Sequence, residues 1–270
     1  MNTFVWKRQV CLLTGATGGI GEAFAVALAE KGVSLILTGR NHEKLSSLLS
    51  RLPGNHTLVC ADIAQQEGIE KVISVCRAKA PTMLINNAGV SETGGFTQSS
   101  ASDISKVITT NLVAPMMLTQ RLLPLLRHAK EAYVINVGST FGSIGFPCHS
   151  LYCASKFGLR GWTESLMREY ANSGVKFLYL APRATRTNIN SSAVVEMNKA
   201  LGNQMDEPAE VAQALVTQIE HGQPRRFLGF PEKLFARING VFPGLVDRAL
   251  IKKLPTIQHF MSSTKKETML

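Results

Sequence analysis

Three residues near the middle of this 270-residue chain have types and a spacing suited to moving a proton. Tyr152 and Lys156 stand four apart in Tyr152-Cys153-Ala154-Ser155-Lys156, and Ser139 lies thirteen positions before Tyr152. The segment SLYCASKFGLRGWTESLMREYA has helical character, which would place residues four apart on one face and set an ammonium beside a phenol. A free phenol with a pKa of about 10 is a poor base near neutrality, and bringing it to about 7 takes roughly 4 kcal/mol of preference for phenolate, which adjacent positive charge can supply. Tyr152 would then exchange a proton with an oxygen, and the Ser139 hydroxyl would hold that oxygen as charge develops on it. A turn serine, a half-buried aromatic and a helix lysine are each ordinary alone; their combination is not.

A second group of residues suits phosphate. The stretch Thr14-Gly15-Ala16-Thr17-Gly18-Gly19-Ile20-Gly21 follows an apolar run and opens the helical pattern EAFAVALAEKG. Glycine lets backbone turn sharply and approach a pyrophosphate, while the N–H groups and positive end of the helix favour its charge. At the end of the next apolar run, where an NAD-binding chain usually offers an acid to the ribose 2′-hydroxyl, the residues are Thr38-Gly39-Arg40-Asn41. Arg40 would make a forked pair with a 2′-phosphate, so NADP(H) is expected over NAD(H).

These residues need elements to position them. Apolar runs recur at VCLL (10–13), SLILT (34–38), TLVCA (57–61), MLIN (83–86), AYVINV (132–137) and VKFLYL (175–180), with a weaker one at RFLGF (226–230), and helical segments of crossover length separate them. That rhythm predicts an α/β chain with a single Rossmann-type doubly wound parallel sheet, helices on both faces, and ligands bound beyond the carboxyl ends of the strands. The expected division is a catalytic domain over 1–230, an amphipathic helical extension of it over 231–262, and a disordered tail over 263–270.

Composition narrows the class. A 45% hydrophobic and 18% charged chain suits a globular protein with a large core. The five cysteines form no CxxC pair and the N-terminus lacks a secretory apolar stretch, so a reducing, cytoplasmic setting is expected, with no metal site. Of the net charge of +10, Arg225 to Leu270 holds nine Lys/Arg against three Asp/Glu, which speaks against a nucleic-acid-binding element in the catalytic region.

In order along the chain, Thr14 to Gly21, Asn86-Asn87-Ala88-Gly89, Asn111 in TTNLVAP, Ser139, and Tyr152 with Lys156 resemble the short-chain dehydrogenase/reductase family over about residues 8–230. The resemblance implies hydride transfer between nicotinamide and a carbonyl or alcohol carbon, with Asn111, Ser139, Tyr152 and Lys156 as the catalytic set. It implies cofactor contacts from Gly15, Thr17, Gly18, Gly19, Ile20 and Gly21 in the loop, Arg40, Asp62 and Ile63 beside adenine, and Asn87, Ala88 and Gly89 beside the adenine and its ribose. Tyr152 and Lys156 would also contact the cofactor, Lys156 at the nicotinamide ribose, and Asn111 would hold a water leading from Lys156 toward solvent. Pro182, Thr185 and Thr187 fall where the family grips the carboxamide with PGxVxT; here that stretch is Pro182-Arg183-Ala184-Thr185-Arg186-Thr187, with Arg183 in place of glycine. Gly18 also stands where many NADP-preferring members carry a basic residue. The resemblance further implies a homodimer or homotetramer.

Asn188 to Asp206 falls where the resembled family places its substrate loop, and its mix of Ala, Val, Met, Ser and Asn suggests a mobile cover with an apolar inner side; Phe141, Ile144, Phe146 and His149 would extend that surface toward an apolar substrate, such as a 3-oxoacyl thioester or a steroid-like or retinoid-like ketone, aldehyde or alcohol. Arg183 reads either as a partner for an anionic substrate group or as a solvated loop residue. Beyond residue 230, Leu234, Phe235, Ile238, Val241, Phe242, Leu245, Val246, Ala249 and Leu250 recur at helical spacing, broken at Pro243-Gly244, with Lys and Arg between them. Such a stripe packs on the catalytic domain or a partner subunit, or makes peripheral contact with an anionic membrane. Two other functions compete: a regulatory or scaffold protein that keeps the fold and the NADP site with little turnover, and a relative of sugar-nucleotide epimerases.

Overall fold

The computed structural model describes residues 4–187 and 189–263. Seven strands form one parallel sheet: β1 (Val10–Thr14), β2 (Ser34–Gly39), β3 (Thr57–Cys60), β4 (Met83–Asn86), β5 (Ala132–Val137), β6 (Val175–Ala181) and β7 (Arg225–Phe227). Their order is β3-β2-β1-β4-β5-β6-β7, so strand order reverses between β1 and β4 and opens a crevice there at the carboxyl edge. Alternate residues of the apolar runs feed two separate cores. Cys11, Leu13, Leu35, Leu37, Ile85 and Ile135 pack under α1 (Gly19–Glu30), α2 (His42–Arg51) and α8 (Pro208–Glu220), whereas Leu12, Ile36, Leu84 and Val134 pack under α3 (Gln66–Lys79) and α5 (Ala114–Leu126). A strand buried on both faces has no polar side to show, which is why these runs carry no alternation in the sequence.

The expected run at 226–230 pairs only over Arg225–Phe227 before the chain turns toward the C-terminal helices. A polar ladder stiffens the middle of the sheet. Asn86 and Asn136 face each other in register on β4 and β5; Asn86 donates to Asn136 Oδ1 at 2.8 Å, and Asn136 donates to Thr163 Oγ1 at 2.8 Å. Thr163 belongs to α6 (Ser150–Glu169), the helix that also carries Tyr152 and Lys156.

Between α4 (Ala101–Ile108), which starts in a Ser100/Asp103 capping box, and α5 the backbone widens into a π-helical turn, Thr109–Val113, that holds Asn111. The expected cover is more ordered than a loop: Ser191 accepts from Val194 N and caps α7 (Ser192–Ala200). Val194 and Met197 of α7 are buried against Ile257 and Met261 of α10 (Pro243–Ser263), which follows α9 (Glu232–Val241) across an elbow at Phe242. Pro243 starts α10, where a proline lacks no hydrogen bond. One side of α10 therefore packs on the catalytic domain while much of α9 and the elbow stays exposed. The tail expected over 263–270 lies outside the described residues from 264 onward, and so does Asn188.

Candidate active site

Every strand of the inner sheet ends at a residue singled out by sequence. Gly15 follows β1, Arg40 follows β2, Asp62 and Ile63 follow β3, Asn87 follows β4, Ser139 follows β5 and Pro182 follows β6. They line a groove with two ends. The first, about 470 Å³, is lined by Gly15, Thr17, Gly18, Gly19, Ile20, Gly21, Arg40, Asp62, Ile63, Asn87, Ala88 and Gly89. The second, about 460 Å³, is lined by Ser139, Tyr152, Lys156, Pro182, Thr185 and Thr187 together with Phe141, Ile144, Phe146 and His149. Ile20, Asn87, Gly89 and Thr187 belong to both walls, which makes the two ends continuous.

The first end is shaped by backbone. At Gly15 φ is +64°, and a Cβ there would stand 2.7 Å from Ala88 Cα; at Gly21 it would stand 2.1 Å from the Gly15 carbonyl oxygen. Neither position tolerates a side chain, so the loop packs closely against Ala88 and the start of α1 lines the cleft, with the Ala16 and Gly18 N–H groups taken by the carbonyls of Thr38 and Gly15. Asn87 fixes that arrangement by donating to the carbonyls of Thr14 and Gly15 at 3.0 and 3.1 Å, and Thr14 Oγ1 accepts from the N–H of Asn87 and of Ala88. This cradle fits the pyrophosphate of a nicotinamide dinucleotide. Arg40 is exposed, forms no ion pair among the described residues, and shares its wall with Lys44, which sequence reasoning missed. Its signal was there: Lys44 lies four residues beyond Arg40 in the first turn of α2, whose N-cap Asn41 accepts from Lys44 N at 2.8 Å.

The second end is shaped by side chains. Lys156 is 4% exposed, donates to Val137 O at 2.9 Å and sits 5.7 Å from the centroid of the Tyr152 ring. Tyr152 is partly buried and lines the same wall as Ser139, whose Oγ accepts from Phe141 N at 3.1 Å. Burial pushes the Tyr152 phenol up to about 12, with the Ser139 side chain acting the other way, and burial pulls the Lys156 ammonium down to about 8. Loss of solvent is the largest influence on both groups. Asn111, 1% exposed, lines neither end of the groove; its side chain accepts from Val90 N and donates to Val90 O and to Ser155 Oγ, one turn from Tyr152.

Arg183 fits neither reading offered by the sequence. Its guanidinium is 12% exposed and is held by Asp206 at 2.7 Å, by Glu232 at 3.3 Å and by Gln204 Oε1 at 3.2 Å. These partners raise its pKa, the Asp206 hydrogen bond most of all. It joins the loop after β6 to the start of α9. Around the groove, Phe141 and Phe146 stack with centroids 4.7 Å apart and His149 packs edge-on against both. Burial holds the His149 imidazole neutral by lowering its pKa, and its Nδ1 lies 3.1 Å from Pro147 O.

A glycine cradle at the sheet's switch point, leading to a serine and a tyrosine on one wall with a buried lysine beside them, defines an oxidoreductase built to use a nicotinamide nucleotide. Known proteins agree. The short chain dehydrogenase family matches residues 9–198. The uncharacterized oxidoreductase YxnA of Bacillus subtilis (strain 168) is 30% identical over 264 residues, covering 94% of this chain and 74% of that protein. The 3-oxoacyl-[acyl-carrier-protein] reductase FabG of Rickettsia felis is 33% identical over 195 residues, 72% of this chain and 79% of that one. A short-chain dehydrogenase from Sphingobium yanoikuyae, solved in complex with NADPH, superposes with a TM-score of 0.76 at 26% identity, covering 88% of this chain and 95% of the other. The chain belongs to the short-chain dehydrogenase/reductase family.

Proposed function

We propose that this protein is an NADP(H)-dependent reductase of apolar ketones or aldehydes, working through Ser139, Tyr152 and Lys156. The observation that carries the reading is that Ser139, Tyr152 and Lys156 share one wall, beside the cradle, with Phe141, Ile144, Phe146 and Val194. Bound nicotinamide supplies the hydride in reduction and takes it in oxidation. The chain's own groups handle the oxygen. A phenol pushed up to about 12 is protonated throughout the neutral range, so Tyr152 is set to donate a proton to a carbonyl oxygen held by Ser139. Lys156 places positive charge where the phenolate is left behind, and its second task is to bond the nicotinamide ribose. Because the Asn111 side chain is committed to Val90 and Ser155, its part in a proton path from Lys156 falls to its main-chain oxygen.

Gly15, Thr17, Gly18, Gly19, Ile20 and Gly21 would hold the pyrophosphate, Asp62, Ile63, Asn87, Ala88 and Gly89 the adenosine half, and Pro182, Thr185 and Thr187 the carboxamide. NADP(H) is favoured over NAD(H) because Arg40 and Lys44 gather two cations at the ribose end where a 2′-phosphate would lie. The apolar end suits 3-oxoacyl, steroid-like or retinoid-like substrates, and the Rickettsia relative acts, by its name, on the first of these. A homodimer or homotetramer is the assembly we expect from the family.

The test is a turnover screen of ketones, aldehydes and 3-oxoacyl thioesters with NADPH and with NADH. Consumption of NADPH on an apolar carbonyl supports the reading. Tight NADPH binding with no turnover of any carbonyl would replace it with the regulatory one.

A further inference from the structure

Among the described residues, seven of the thirteen exposed large apolar side chains fall between Phe230 and Ile251. They are not scattered. Val241, Phe242 and Leu245 are 68%, 63% and 58% exposed and bracket the elbow between α9 and α10, the point of both helices farthest along the chain from their packed ends. One or two turns from the elbow on each helix stand cations at spacings that share a face with these side chains: Arg237 with Val241 on α9, and Arg248 and Lys252 with Leu245 on α10. Lys233, Arg237, Arg248, Lys252 and Lys253 are all exposed, and none forms an ion pair among the described residues; of the two acids on these helices, Glu232 is bound to Arg183.

An apolar tip flanked by unneutralised cations fits a layer that is apolar within and anionic at its surface. A second copy seated on the same patch would set five exposed cations against their own like, with Asp247 as the one acid on these helices left to offset them. Phe230, Phe235, Leu250 and Lys253 of this same region line the substrate end of the groove. No helix among the described residues is long and apolar enough to cross a membrane, so the contact would be peripheral.

We propose that the α9–α10 elbow seats the protein on an anionic lipid surface and that the substrate end of the groove opens beside that surface, so that apolar carbonyl compounds enter from the lipid. The seating stands on the elbow alone; the entry route rests on the carbonyl chemistry proposed above.

Co-sedimentation of the full chain with vesicles of phosphatidylcholine alone and of phosphatidylcholine with phosphatidylglycerol tests the seating without any turnover. Binding is expected to the anionic vesicles only, to weaken at least tenfold at high salt, and to fall at least tenfold in Phe242→Asp, Leu245→Asp or the double variant Arg248→Gln/Lys252→Gln. These side chains lie outside the groove wall, so thermal midpoint and turnover of a water-soluble ketone should be unchanged. Equal sedimentation with and without vesicles would overturn the seating, as would light scattering that shows a dimer abolished by Phe242→Asp in a protein that binds no vesicles. The entry route is read separately. With a long-chain ketone dissolved in the vesicles, Phe242→Asp should raise KM at least fivefold at constant kcat; an unchanged KM overturns the route and leaves the seating standing.

Discussion

The two ends of the groove are built by opposite means. The cradle end is made of backbone: glycines that admit no Cβ, a threonine hydroxyl and an asparagine amide that lock the loop in place, and the start of α1 along the cleft. The substrate end is made of side chains drawn from α6, α7, α9, α10 and the loops after β5 and β6. A backbone cradle serves one constant group and changes little, whereas a wall of side chains on separate helices can be retuned residue by residue. Common cofactor chemistry and variable substrates call for that division.

Substitutions should separate the ends. The largest effect is expected from Tyr152→Phe, which removes the proton donor at the junction: kcat/KM should fall by about a hundredfold or more while nucleotide affinity, measured by fluorescence titration, stays near wild type. Next, Arg40→Ala with Lys44→Ala should weaken NADPH binding by about tenfold to a hundredfold, the size of a lost charge-assisted contact, and leave NADH binding and the substrate KM in place. If both nucleotides weaken equally, the pair is not reading a 2′-phosphate. Arg183→Met acts on the joint between the loop after β6 and α9. It leaves Asp206 and Glu232 without their partner, so we expect a lowered thermal midpoint and a several-fold rise in KM for apolar substrate, more than in kcat, with partial rescue in Arg183→Lys.

The smallest effect concerns pH. Lys156 titrates near 8 when folded and at 10.5 in its ordinary state, so between those values the unfolded chain binds more protons and stability rises with pH. The burden of the buried ammonium is complete below about 8 and gone above 10.5. Lys156→Met removes it, and the thermal advantage of that variant over wild type should be greatest at pH 7 and shrink toward pH 10. A constant difference would mean that Lys156 is not desolvated as the structure indicates.

Sequence reached the cradle end more fully than the substrate end, for physical reasons. Continuous Val, Ile and Leu runs, glycines between strand and helix, and Tyr152 four residues before Lys156 are local patterns, and local patterns survive in a linear text. The Arg183–Asp206–Glu232 cluster joins residues up to 49 positions apart, and nothing near Arg183 in the chain announces its partners. The π-helical turn at Asn111 has no composition of its own. The order in α7 comes from Ile257 and Met261, which lie in another helix. The upward pull on Tyr152 was missed because desolvation is a property of the packed fold, whereas the neighbouring charge could be read four residues away.

The ladder from Asn86 through Asn136 to Thr163 has an effect at a distance. Thr163 lies two turns beyond Lys156 on α6, on the same stripe of the helix as Lys156 and Tyr152. Oily contacts let a helix roll about its long axis at little energy, but a directional bond to one threonine fixes the angle at which it comes to rest. The aim of the phenol is therefore set from the interior of the sheet, by an amide that never touches a substrate.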